Sequence, residues 1–388
     1  MPPINPLLLD TGSPPIPEIQ GWGARYGGAA GPLLNLCQAV PSHAPPPGML
    51  ARLAEAAADP RSAGYGPIMG DVALREAYAA QLSAVYGGRR TAAEVAITSG
   101  CNMAFFIAMM ALAQRGDAVM LPTPWYFNHQ MTLNMLGIEA RALPCRAQQG
   151  FVPDVEDAAA LIDERVRAIV LVTPNNPTGA IYPPEVIARF HALCRDRGVW
   201  LVLDETYRDF LPAGQARAHD LLAGDAWPEN LVQLYSFSKS FAVPGYRLGA
   251  LGAPASAMPE IGKVVDSVQI CAGRVGQAAL TWGLPNLDGW RAEKRAEMGE
   301  RVEAVRAVFS RLPGWRLEAS GAYFAYVRHP FAGRTAWDVV EELVNRHGVM
   351  CLPGPAFAGE DAHLRIAFAN VDLAGIAVME ERLRAATP

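Results

Sequence analysis

Lysine is almost missing from this chain: of its 33 basic residues only three, Lys239, Lys263 and Lys294, are lysines. A lysine set beside an apolar stretch therefore asks for a chemical reason. Charge of one sign is lacking too. The formal net charge is −5, with acids and bases interspersed and no basic block, which argues against a nucleic-acid or anionic-membrane surface. The most prominent apolar run, Ala104 to Ala113, stops at Gln114-Arg115-Gly116 and is too short to span a bilayer. The six cysteines are scattered without a Cys-x-x-Cys pair or a histidine at ligand spacing, so neither a disulfide framework nor a metal site is expected. Met1 to Pro17 carries no basic residue and lacks the charged start of a secretory signal; a reducing cytoplasm is the expected compartment. Asn176-Pro177-Thr178 has proline in the position that blocks glycosylation.

What the chain does have is length and core. Its 388 residues are 51% hydrophobic, enough for one large and one smaller domain. The proline-rich start reads as an extended arm. Residues 18 to 44 read as a glycine-rich loop, whose near-match to a dinucleotide fingerprint fails because no strand precedes it. Helices are expected from Pro47 and from Asp71. Apolar runs at 95–98, 118–121, 139–144, 168–173, 199–203, 231–235 and 248–253 then alternate with helical stretches, which implies an α/β fold with a mostly parallel sheet. Arg274 sits in a helical break and reads either as a surface cation or as a selector for acidic substrates. A long charged helix from about Leu287 to Phe309 leads to strands near 315–318, 323–327 and 364–368. The expected division is residues 1–44, 45–280 and 281–388.

Several strand ends carry chemistry, and open α/β sheets place their ligands there. Lys239 lies just past the run ending at Tyr235, inside Ser236-Phe237-Ser238-Lys239. Burial and a cationic neighbour lower an amine's pKa, and a neutral amine condenses with an aldehyde. Ser236, Ser238 and Arg247 offer the hydroxyls and fixed cation that a phosphate ester requires. Gly100, Cys101 and Asn102 open a helix whose unpaired backbone amides suit an anion. In Pro124-Trp125-Tyr126, an aromatic just past a strand end could stack on a flat ring, packing under a loop being the plain alternative; the choice of Tyr126, with Trp125 the runner-up, rests on the resemblance that these motifs carry together. Asp204 ends a buried strand, where a carboxylate is costly unless paired. Tyr207 follows three residues on, and His129 is placed to orient the carboxylate. Asn176 lies in Asn-Pro-Thr-Gly, Tyr65 in a Tyr-Gly-Pro turn, and Arg365 in an otherwise apolar strand with a planar fork suited to carboxylate.

These motifs, spread in order from Tyr65 to Arg365, resemble those of the class I/II aminotransferases, fold-type I enzymes that use pyridoxal 5'-phosphate. The resemblance implies a large domain around a mixed, mostly parallel seven-stranded sheet and a smaller α+β domain. It implies that Lys239 holds the cofactor as a Schiff base, and that Asp204 pairs with the protonated ring nitrogen. Asn176 and Tyr207 would meet the ring's phenolic oxygen, with Tyr126 stacked on the ring. The phosphate would lie among Gly100, Cys101, Asn102, Ser236, Ser238 and Arg247, reached also by Tyr65 from the partner of a homodimer. Arg365, with Asn176 and Val40, would hold an amino acid by its α-carboxylate, and the amino group would pass to a 2-oxo acid. Gln38-Ala39-Val40-Pro41 departs from the glycine found near that carboxylate in many relatives, which points to an altered pocket floor. The same cofactor residues also serve β- or γ-elimination, decarboxylation and oxidation. A non-catalytic ligand sensor is opposed by the complete lysine and carboxylate set and by the lack of a basic helix-turn-helix extension.

Overall fold

The computed structural model describes residues 2–388; Met1, part of the expected arm, lies outside the described residues. Apolar runs of four to seven residues, too short for stable helices and bounded by turns, form a seven-stranded sheet. Its order in space is Val95–Thr98, Gly249–Gly252, Leu231–Ser236, Trp200–Asp204, Val166–Val172, Ala118–Thr123, Glu139–Pro144. Only Gly249–Gly252 runs antiparallel to its neighbours. Both faces of the central strands are covered, as the sequence requires of near-continuous apolar runs such as Ala168 to Val172. Ile169, Leu171, Leu201 and Leu203 pack into one apolar cluster, while Val170 and Val202, alternating with them, pack into another.

The single reversed strand matters for the site. Thr98 and Ser236 both pair with Gly249, so the start of the antiparallel strand lies at the same edge as the ends of the parallel ones. Segments after residues 98, 123, 172, 204 and 236, and the segment before 249, therefore converge.

A four-stranded antiparallel sheet, ordered Leu352–Pro353, His363–Ala367, Phe324–Arg328, Arg316–Gly321, follows the helix Asp288–Arg311. A third apolar cluster joins it to the N-terminal Ile19, Leu34 and Leu36. The start of the chain is not the extended arm expected from its prolines. Pro6–Leu9 and Pro15–Arg25 are helices, because proline at the first helical position has its φ already set and loses no needed donor. Ile19 and Gly23 of the second helix are buried, and a Cβ on Gly23 would meet the Met350 sulfur at 2.7 Å. Residues 18 to 25 thus belong to a helix rather than to a loop. The helices Phe127–Leu136, Ala336–His347 and Leu373–Ala386 also form. Among the described residues no helix is long and apolar enough to cross a membrane, and no cluster of His, Cys, Asp and Glu is placed to hold a metal ion.

Candidate active site

A cavity of about 540 Å³ opens at the convergent edge. Val40, Cys101, Asn102, Tyr126, Asn176, Asp204, Tyr207, Ser236, Ser238, Lys239, Arg247 and Arg365 all line it. Gly100 stands directly behind, its missing side chain occupied by Arg247. Trp125 does not reach the cavity; it packs into the apolar cluster beneath and donates its backbone N–H to the Phe357 carbonyl at 3.0 Å. Tyr65 and Arg274 also lie outside. Tyr65 is 81% exposed. Arg274 bonds the Arg61 carbonyl at 2.6 Å and faces Asp71 at 3.5 Å, so within this chain it ties the start of its helix to the Pro60–Ala63 turn.

Leu231–Ser236 gives way at once to the short helix Phe237–Ser240, N-capped by the Ser236 hydroxyl. This directs Lys239 into the cavity, where Nζ donates to the Ala39 carbonyl at 2.6 Å. Burial lowers the Lys239 pKa from 10.5 to about 8, assisted by the positive charges of Arg247 and Arg365. The amine thus gives up its proton near pH 8 rather than above pH 10.

Asp204 is buried and held at both oxygens. Oδ1 accepts the Thr206 backbone N–H at 3.0 Å, Oδ2 lies 3.3 Å from His129 Nε2, and the Cys101 sulfur is 3.8 Å from Oδ1. His129 in turn is stacked on Phe105, ring centroids 3.9 Å apart, and meets Tyr126 edge-on. The expected orienting role of His129 thus has a geometry. Tyr126 reaches Asn102 Oδ1 at 3.4 Å. Tyr207 packs against Tyr323 and Phe324, and burial holds its hydroxyl protonated well above the usual range, which makes it a donor.

Arg365 is buried between the rings of Phe324 and Phe357. It donates to Asn176 Oδ1 at 3.0 Å and to the Cys37 carbonyl, while its Nε has no partner. Asn176 spends its carbonyl on this bond and keeps its amide hydrogens for another acceptor.

Several cavity residues escaped the sequence reading. Ile16, Phe127, Asn128 and Thr206 line it as well, beside Gln38 and Ala39 of the segment expected at the pocket floor. Ile16 comes from the helix taken for an arm, and Phe127 and Asn128 from an unread helix. The segment carrying Ala39 and Val40 is pinned by Asn370, which accepts the Val40 N–H at 2.9 Å. No local signal links residue 370 to residue 40.

The sequence profile described as Aminotransferase class I and II matches residues 31–383. The chain belongs to that family. It is a pyridoxal-phosphate-dependent aminotransferase. An arginine–pyruvate transaminase of Pseudomonas aeruginosa is 30% identical over 325 residues, covering 81% of each chain. An aromatic aminotransferase of Arabidopsis thaliana is 28% identical over 358 residues, covering 90% of this chain and 89% of its own. In fold the aminotransferase is similar to the solved aspartate aminotransferase from Thermus thermophilus with maleate, with a TM-score of 0.91 over 100% of both chains at 24% identity.

The residues of this aminotransferase fit the family's cofactor. The buried Ser238 hydroxyl has no hydrogen-bond partner, and it lies with Ser236, Arg247 and the start of the helix Cys101–Leu112, a donor-rich end that suits a phosphate. A buried carboxylate, Asp204, supplies the acceptor that a protonated ring nitrogen needs.

Proposed function

We propose that this aminotransferase moves an amino group from an L-amino acid to a 2-oxo acid, with Lys239 as the cofactor lysine and the proton carrier. The observation behind the reading is the setting of the Lys239 amine: the one lysine of the cavity, pKa lowered to about 8, facing two guanidinium groups. When bound, pyridoxal phosphate supplies an aldehyde carbon to bond that amine and a ring that withdraws electrons from the substrate's α carbon. Lys239 Nζ, once neutral and free, would take the α proton as a base and, as an acid, deliver it to the carbon that the aldehyde supplied. Asp204, steadied by His129 and the Thr206 N–H, would accept the ring N–H. Asn176 and Tyr207 would donate to the phenolic oxygen, and Tyr126 would cover the ring face. Arg365 grips the substrate carboxylate with its fork, and Val40 borders the substrate. Gly100, Cys101 and Asn102, through backbone amides, join Ser236, Ser238 and Arg247 at the phosphate.

The reading includes a homodimer in which Tyr65 reaches the partner's phosphate site; its high exposure in the single chain supports this. It also includes the division 1–44, 45–280 and 281–388, supported by the apolar cluster that Ile19, Leu34 and Leu36 share with Val340, Ile366 and Leu383. A cytoplasmic location is supported by six cysteines that form no disulfide. The test is the visible absorption spectrum of the protein with pyridoxal phosphate. A band that bleaches with an amino acid and returns with a 2-oxo acid is the expected result. A Lys239→Ala variant that still turns over would sink the assignment, and ammonia or oxygen uptake instead of a returning band would replace transamination with elimination or oxidation.

A further inference from the structure

A second cavity, of about 600 Å³, shares no lining residue with the catalytic one. One wall is apolar and made of small side chains: Ala77, Ala80 and Ala84 from the helix Val72–Tyr86 face Leu284, Pro285 and Ala292. The rest is rich in guanidinium. Arg208, only 5% exposed, lies 4.1 Å from the centre of the Tyr235 ring, and its Nη atoms reach Tyr78 Oη at 3.4 Å and Gln81 Oε1 at 3.1 Å. Arg291 spans Asp209 at 3.2 Å and Asp288 at 2.5 Å, so the two carboxylates that line the cavity are already engaged. Arg208 also faces Glu205 at 3.5 Å, and Arg217 is paired with Asp220.

Three N–H donors on these walls are nevertheless buried and without an acceptor: Arg208 Nε, Arg291 Nε and Gln81 Nε2. Arg295 makes no ion pair among the described residues. Its hydrogens go to the carbonyls of Leu211, Pro212 and Gln215 at 2.8, 2.6 and 2.6 Å, which orient the guanidinium without cancelling its charge. Surplus donors and an uncompensated cation beside an uncharged wall define a complementary guest. We infer that this cavity binds a small amphipathic monocarboxylate, its head against Arg291 and Arg295 and its uncharged body along the alanine wall.

The cavity is wired to the catalytic lysine. Asp209 Oδ2 accepts from Tyr235 Oη at 2.7 Å, and that oxygen lies 2.7 Å from Ser240 Oγ, the neighbour of Lys239. A carboxylate that competes with Asp209 for Arg291 acts on this chain, and through it on the helix Phe237–Ser240.

The test uses the holoenzyme and 4-methylpentanoate, which has neither an amino nor an oxo group to react. Calorimetry counts bound molecules per chain, and steady-state kinetics against a donor amino acid gives the inhibition pattern. Ala80 is exposed, so Ala80→Trp fills the cavity from a helix surface that tolerates it. The expected result is one bound molecule fewer in Ala80→Trp than in the wild type, and a mixed pattern that becomes purely competitive. Arg295→Gln is expected to weaken the same binding event by about tenfold. Equal counts and patterns in the wild type and Ala80→Trp, or no calorimetric binding at all, overturn the inference.

Discussion

The guanidinium of Arg247 fills the space that a side chain at Gly100 would need. A Cβ built on Gly100 would lie 2.9 Å from Arg247 Cζ and nearer still to Nη2, and Gly100 has φ +91°. Across the same junction a Cβ on Gly249 would come within 2.7 Å of the Gly100 carbonyl carbon and 2.8 Å of the Cys101 nitrogen. Arg247 and the helix start are thus locked as one unit, the one proposed to hold the phosphate. Gly100→Ala strains the turn and displaces Arg247, at a cost of about 1–3 kcal/mol. Its expected effect is a rise in the dissociation constant of pyridoxal phosphate of about ten- to a hundredfold, measured by fluorescence titration of the apoenzyme. Unchanged affinity would contradict the locking.

The Lys239 pKa gives the pH dependence of cofactor capture. A lysine ordinarily protonated up to 10.5 loses its proton here near pH 8, and only the neutral amine attacks an aldehyde. The rate at which apoenzyme and pyridoxal phosphate develop the visible band should rise with pH, with a midpoint near 8, and level off above it. Burial is the main cause of the shift and Arg247 the next. Arg247→Gln should therefore move the midpoint upward without restoring it to 10.5. Stopped-flow absorbance over pH 6 to 10 reads both, and a midpoint that stays put in the variant removes Arg247 from the account.

The residues of this site divide by how their neighbours were chosen. Lys239, Asp204, Asn176 and Gly100 follow strands that announce themselves as short apolar runs, so their place at the sheet edge was legible before any coordinates. Arg247 was legible as a motif, yet its arrival at that edge depends on one antiparallel strand that no periodicity signals. Ile16 was not readable at all, and Ala39 only as part of the pocket floor that the family resemblance suggests. They line the cavity with Lys239 because the helix Pro15–Arg25 and the turn after Leu34 dock on the C-terminal part of the chain, a contact decided by packing with Trp337 and Met350 rather than by local propensity. Phe127–Leu136 was missed because its residues mix polar and apolar side chains without a clear helical stripe. The family resemblance favours Tyr126 over Trp125 for stacking, and in the structure Trp125 packs against the apolar cluster while Tyr126 lines the cavity.

Glu205, next to Asp204, turns away from the cavity into a closed polar cluster. It accepts from Tyr86 Oη and from Gln233 Nε2 at 2.5 Å, and it faces His219 Nε2 at 3.2 Å and Arg208 at 3.5 Å. Burial alone would raise its pKa, but His219, Arg208 and Tyr86 outweigh burial and hold it at about 2. Glu205→Leu leaves Arg208 buried without its carboxylate, and about 3–5 kcal/mol of stability should be lost in urea denaturation at pH 7. Because the folded pKa is depressed below 4.5, the carboxylate's contribution is complete above that pH and fades as pH falls toward 2. The gap between wild type and variant should therefore narrow across that window. A gap that is constant with pH would mean that the loss is one of packing alone.

Tyr65 stands on a turn fixed from behind: the Gly66 N–H lies 3.4 Å from the Cys271 sulfur, and Arg274 holds the Arg61 carbonyl. A fixed turn that presents a tyrosine 81% exposed, near the half-exposed Ile68 in sequence, spends order on a side chain with nothing to touch in its own chain. The economical explanation is a second copy, whose phosphate site receives the hydroxyl. Sedimentation should give twice the 41.6 kDa chain mass. Tyr65→Phe removes only the hydroxyl and one hydrogen bond to a charged group, about 1.5–3 kcal/mol, so the dimer should persist while cofactor affinity falls by about tenfold or more. The two readouts separate the causes. Lost dimerisation in Tyr65→Phe would make the residue an interface contact, and a stable monomer with full cofactor affinity would leave the tyrosine without a role at the phosphate.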